Sequence, residues 1–203
     1  SHNGTKLKFL HYLLLYMIKH KRGIQKTRRI LYNDRVKIQR LDLVYKIGDE
    51  ILRSENMQRE KCFIQHANVS TYEHSASVAR MSLIIAEILR AKVDKVSLVR
   101  GALLHDFFLY DWHDKTAMPR AHAYLHPLIA YDNAKKEFKL NVIEKNIIQA
   151  HMFPISIVMP KYRESWIVVL ADKICAMQEV MSNLKVHATV SVLRSTQYCG
   201  VII

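Results

Sequence analysis

Glycine and proline are scarce in this chain, with five Gly and four Pro among 203 residues. So little turn chemistry excludes an architecture of many short strands, and with it an all-β sandwich. Cysteine is scarcer still. Cys62, Cys175 and Cys199 are widely spaced, odd in number and form no CxxC pair. That excludes a disulfide framework and a clustered thiolate zinc site, and points to a reducing compartment. A membrane-length apolar run is missing near the start. Phe9–Ile18 is interrupted by His11 and falls short of the roughly 20 residues a span needs. Lys19, Lys21 and Arg22 follow it, not the small residues of a signal-peptide cleavage site, so a cytoplasmic location is expected. Half of the residues are hydrophobic, which excludes a largely disordered chain and suits one domain with a sizeable core.

Acidic residues are also short in number, 18 against 31 Lys and Arg, for a formal charge of +13. The excess is local. Residues 1–40 hold eleven Lys and Arg and a single acid, Asp34, and so carry +10 of the total. A run of this kind is most often a solvated face, although phosphates and anionic membrane surfaces attract the same charge. Beyond Tyr12, Tyr16 and Tyr32 there is no interleaving of aromatic with basic residues, so specific nucleic-acid recognition is not supported.

Apolar residues recur at helical spacing through most of the chain. Residues 6–20 and 24–32 read as helical on either side of Gly23, and 36–57 place Ile38, Leu41, Val44, Ile47 and Ile51 on one face. Ser70 with Glu73 is a capping-box signature, opening a helix whose buried face is expected to be Val78, Met81, Ile84, Ile85, Ile88 and Leu89. Asp94 caps the next helix, with Val96, Val99, Leu103 and Leu104 inward. Residues 107–125 read as a loop. A helix follows with His126 as its cap and Pro127 in its first position. Residues 141–151 are helical, Pro154 and Pro160 bracket a loop, and a last helix spans residues 163–184. The β-branched tail after it reads as a strand, a packed extension or a poorly ordered end. The body is all-α.

Eleven histidines are many for such a chain, and their placement says more than their number. His74 lies in the first turn of a capped helix, and His105-Asp106 ends the next one after an apolar run. His126 stands at a helix start, His151 at a helix end, and Asp172 in the middle of the apolar final helix. A carboxylate is rarely buried without a partner, and a cation held by imidazoles and carboxylates would supply one to both Asp106 and Asp172. Neighbouring helical residues project about 100° apart, so His105 and Asp106 can embrace one ion from one helix end. Such ligands suit Mn, Fe, Co, Ni or Zn, with Mg as a further option.

The strings YEHSASVARMSL, LLHDFF and VVLADKI resemble, in this order, the H…HD…D signature of the HD superfamily of metal-dependent phosphohydrolases. The resemblance implies a compact helical bundle over residues 59–184. A basic helical segment over 1–58 precedes it and an extension over 185–203 follows. It further implies His74, His105, Asp106 and Asp172 as ligands of one divalent ion. His126 and His151 sit where two-metal branches of the superfamily place further histidines, which implies a second ion shared through Asp106. Phe107, Phe108 and Leu109 after the HD pair, and HMFPISIVMPKYRES after His151, depart from the HD-GYP pattern and disfavour a cyclic-dinucleotide phosphodiesterase.

The expected activity is hydrolysis of a phosphate ester or phosphoanhydride of a nucleotide-like small molecule, with one or two divalent ions as cofactor. Asp106 and His66 are the catalytic candidates; Arg80, Lys161 and Arg163 are the candidate phosphate-binding cations. His113, Asp111 and Asp114 are placed near the mouth of the site or in solvent. Two other readings fit the same ligands: a di-iron oxygenase of HD type, and a non-catalytic sensor of phosphate ligands. Homo-oligomerisation is left open.

Overall fold

The structure, a computed structural model, describes residues 39–114 and 122–198, with residues 123 and 183–198 described by backbone alone. The helices expected over 6–20 and 24–32, and most of the basic segment, lie outside the described residues. The chain divides into two units, residues 1–42 and 43–203, and apart from residues 39–42 the features below lie in the second.

Seven helices and one minimal hairpin make up the described chain. Helix α1 covers 39–53. Ser54 interrupts the expected run to residue 57, because its hydroxyl accepts from the Met57 N–H and caps a new short helix, α2 (Glu55–Arg59). A 3₁₀ turn (Glu60–Cys62) leads into β1 (Ile64–His66), which pairs antiparallel with β2 (Val69–Ser70). Helix α3 (Thr71–Ile88) starts from Ser70, whose hydroxyl accepts from the Glu73 N–H while the Glu73 carboxylate accepts from the Ser70 N–H. Asp94 caps α4 (Lys95–Leu104), which ends at His105. Then follow α5 (His122–Glu137), α6 (Val142–Ala150), and α7 (Arg163–Tyr198). Asn141 opens α6 with a second capping box, its partner being Glu144.

Helices α3 and α4 form the centre, with α7 packed on α3 and α6 on α4. The core is built from Val78, Leu83 and Ile85 of α3, Leu98, Val99 and Leu103 of α4, Ile147 and Ile148 of α6, and Ile167 and Val168 of α7. Close approach depends on two glycines. A Cβ on Gly48 would strike Leu103, and one on Gly101 would lie 2.6 Å from Cδ1 and 3.0 Å from Cβ of Ile147. The Ile147 Cβ is anchored to its backbone and cannot swing aside. Gly101→Ala is therefore expected to destabilise the fold by about 1–3 kcal/mol, read as a lower urea midpoint with unchanged m.

Several details differ from the sequence pattern. Ile88 and Leu89 are exposed, and Ser75, Ala79, Ser82, Leu83 and Ala86 take the buried face beside Val78 and Ile85. Small side chains let α3 lie close to its neighbours, and apolar counting undervalues them. Val96 is likewise exposed, with Leu98 inward. Helix α5 begins one turn earlier than expected, at His122, so His126 and Pro127 lie inside it. Helix α7 continues beyond residue 184 to Tyr198. Over 185–198 the tail is helical, not a strand. No helix among the described residues is long and apolar enough to cross a membrane.

Candidate metal centre

The chain brings His74, His105, Asp106, His126, His151 and Asp172 together, all buried, from five separate stretches. His74 comes from the first turn of α3, and His105-Asp106 from the end of α4. His126 lies in α5, His151 closes α6, and Asp172 lies in α7. Asp106 stands between two groups. Its Oδ2 lies 3.3 Å from His105 Nε2 and 3.9 Å from His74 Nε2, and Asp172 Oδ1 lies 3.1 Å from the His74 nitrogen and 3.7 Å from that of His105. Its Oδ1 lies 3.3 Å from His126 Nε2 and 3.2 Å from His151 Nε2.

The outward-facing ring nitrogens fix the tautomers of three of these histidines. Nδ1 of His105 donates to the Ala102 carbonyl at 2.8 Å, that of His126 to the His122 carbonyl at 3.0 Å, and that of His151 to the Ile148 carbonyl at 2.8 Å. A carbonyl can only accept, so each Nδ1 carries a proton, and each ring, when neutral, turns its Nε2 lone pair inward. His74 meets a side chain instead: its Nδ1 lies 3.0 and 3.1 Å from the two carboxylate oxygens of Glu179.

This arrangement fits a cation. Nε2 of His126 and Nε2 of His151 are 2.8 Å apart, and two lone pairs at that distance require a proton or a metal between them. His105 Nε2 and Asp106 Oδ1 are buried with no hydrogen-bond partner. His74, His105 and Asp172 form one group with metal-ligand spacing, and His105, Asp106 and His151 another. Four imidazoles and two carboxylates suit Mn, Fe, Co, Ni or Zn.

The electrostatics agree. Burial works against charge on His74, but its bonds to Asp172 and Glu179 raise its pKa to about 9. His105 is likewise held well above the usual range, against burial, by Asp106 and Asp172. Burial would raise the two aspartates, yet His105 and its neighbours hold Asp106 well down, and His105 with His74 hold Asp172 down. His151, whose burial dominates, is lowered. The carboxylates stay ionised, and a divalent cation would displace the protons that His74 and His105 hold.

A cavity of about 380 Å³ opens beside this cluster. Trp112, Met152, Ile155 and Ala176 supply apolar wall, while Gln65, His66, His122 and Lys173 supply polar groups. Gln65 and His66 arrive through the β1–β2 hairpin, and Gln65 Nε2 donates to Asp106 Oδ2 at 2.6 Å. His66 is half-buried and stands edge-on to His74, with ring centroids 5.2 Å apart. Burial and the His74 charge lower its pKa. His122 stacks between Trp112 and His126, and its Nδ1 lies 2.8 Å from the Tyr110 hydroxyl. Burial, then His126, lowers the His122 pKa to about 4.

The three expected phosphate-binding cations do not line this cavity. The Lys161 and Arg163 side chains are exposed; the Lys161 backbone N–H donates to Asn146, and the Arg163 guanidinium reaches the Lys92 carbonyl at 3.4 Å. Arg80 is half-buried on α3, where its charge acts on Cys175. The lysine in the lining is Lys173, one residue after Asp172. In the loop after the HD pair, His113 pairs with Asp111 at 3.2 Å in solvent, and it is Trp112 between them that faces the cavity. Sequence reasoning missed Gln65, Glu179, Lys173, Trp112 and His122. Only Lys173 and Glu179 left a trace, at one and seven residues from Asp172 on the same helix.

An all-α domain with a buried His and Asp cluster able to hold metal is the class that fold and site define. Residues 71–177 match the family model of the HD domain, and the chain belongs to that family. No curated protein and no solved structure matches the chain.

Proposed function

We propose that this protein is a metal-dependent phosphohydrolase that cleaves a phosphate ester or phosphoanhydride of a nucleotide-like small molecule. The observation that carries the reading is the position of Asp106, with one oxygen toward His74 and His105 and the other toward His126 and His151. In this reading His74, His105, Asp106 and Asp172 hold one divalent ion, and Asp106, His126 and His151 hold a second. A divalent ion in such a site supplies an acidified water and neutralises charge on the phosphoryl group.

The chain's own residues do the rest. Gln65 donates to Asp106 Oδ2 and holds the carboxylate plane. Lys173 offers a positive charge to the phosphate. His66, at the cavity wall and with a lowered pKa, is neutral near pH 7 and can pass a proton at a ring nitrogen. Trp112, Met152 and Ile155 exclude water from the organic part of the substrate.

Elemental analysis of the purified protein, followed by a phosphate-release screen with the metal found, tests this reading. Bound Mn, Fe, Co, Ni or Zn and release of phosphate are expected. Oxygen consumption without phosphate release would replace hydrolysis by oxygenation at the same ligands. Ligand binding with no turnover in any of these metals would make the protein a sensor.

A further inference from the structure

Three of the four clustered imidazoles are held by peptide carbonyls, which no side-chain substitution removes. His74 is the exception, because its Nδ1 meets Glu179. Asp172 and Glu179 are seven residues apart on α7, about two helical turns, so they share a face. They grip His74 from opposite sides of its ring: Asp172 Oδ1 at 3.1 Å from Nε2, Glu179 at 3.0 Å from Nδ1. His74 is fully buried, so in this structure its two ring nitrogens are satisfied by these two carboxylates.

We infer that Glu179 is a positioning residue for the metal centre: by accepting from Nδ1–H it keeps the His74 Nε2 lone pair directed at the ion. Without that acceptor, the buried ring can carry its proton on Nε2 and turn a donor toward Asp172, which removes one ligand. His66, His74 and Glu179 also have ligand spacing among themselves. A separate ion there would have to share His74 with the main cluster through both ring nitrogens, and the hydrogen-bond role accounts for the geometry without it. The inference rests on the metal-site reading above, and the experiment separates the two.

Zn²⁺ titration of the full chain by calorimetry, with a competing chelator, reads affinity and stoichiometry. The wild type is expected to bind, and Glu179→Ala to bind about 10–100-fold more weakly, the usual effect of losing such a partner. Glu179→Gln, whose amide oxygen still accepts from Nδ1–H, is expected to stay close to the wild type. No binding by the wild type would sink the metal-site reading itself. With a binding wild type, unchanged affinity in a folded Glu179→Ala overturns the role of Glu179. So does a Glu179→Gln as weak as the alanine variant, or an additional equivalent lost with Glu179. If Glu179→Ala does not fold, ¹⁵N NMR of the zinc-loaded wild type decides. A protonated Nδ1 and an unprotonated Nε2 on His74 are expected, and the reverse overturns the inference.

Discussion

Asp106→Asn is expected to lose divalent metal from both positions and to release phosphate roughly a thousandfold more slowly, or less. Asn keeps the shape and removes the charge. Among the described residues Asp106 is the one carboxylate facing both groups of histidines, with four Nε2 atoms within 3.2–3.9 Å of its oxygens. Charge stabilisation by a catalytic ion is worth several kcal/mol, and about 1.4 kcal/mol is tenfold in rate. His126→Ala, by contrast, leaves His74, His105, Asp106 and Asp172 intact and is expected to lose one equivalent. Metal content by mass spectrometry and turnover, measured on the same preparations, check both. Two equivalents retained in Asp106→Asn would remove that residue from the centre.

Glu60→Gln is expected to flatten the pH dependence of stability between about pH 5 and 8. Glu60 is buried in the 3₁₀ turn, where its Oε1 accepts from the Leu109 N–H at 3.0 Å. Leu109 has φ 65, a left-handed conformation that is costly for a branched residue, in the stretch directly after the HD pair. Burial, with a smaller push from Asp106, raises the Glu60 pKa from 4.5 to about 8. The unfolded chain loses this proton near 4.5, and the folded protein keeps it to about 8. Between those values the folded state binds more protons, so stability falls as pH rises. Over that window the fall amounts to about 4 kcal/mol. Gln stays neutral and its amide oxygen can still accept from Leu109. Urea denaturation at intervals from pH 5 to 8 compares the two, and their difference isolates Glu60 from the histidines. Parallel curves would show that Glu60 ionises normally.

The buried His and Asp cluster was legible because chemistry-bearing residues stood out against apolar helices. His105-Asp106 is a polar pair between the buried Leu103-Leu104 and Phe107-Phe108, and Asp172 is a carboxylate in the largely apolar stretch from Ile167 to Ile174. The bundle was legible from periodicity and from the caps at Ser70 and Asp94. The tertiary partners were not. Gln65 lies 41 residues from Asp106 with nothing local to mark it, and Glu179, 105 residues from His74, is marked only by its spacing of about two turns from Asp172. Arg80, Lys161 and Arg163 look like phosphate ligands by charge alone, but charge does not say which side of a helix faces a cavity. The start of α5 was misjudged because Pro127 suits a first helical position, whereas here the helix begins a turn upstream and the His122 carbonyl accepts from the His126 ring. Small residues on α3 hid its buried face.

The six clustered side chains span residues 74 to 172 and reach the centre from five stretches of backbone. An extended polypeptide cannot offer these donors together, so any inorganic guest grips only the native form and acts as a reversible cross-link between α3, α4, α5, α6 and α7. Stripping it with a chelator would loosen the whole bundle, which makes the melting temperature itself a reporter of cofactor loading.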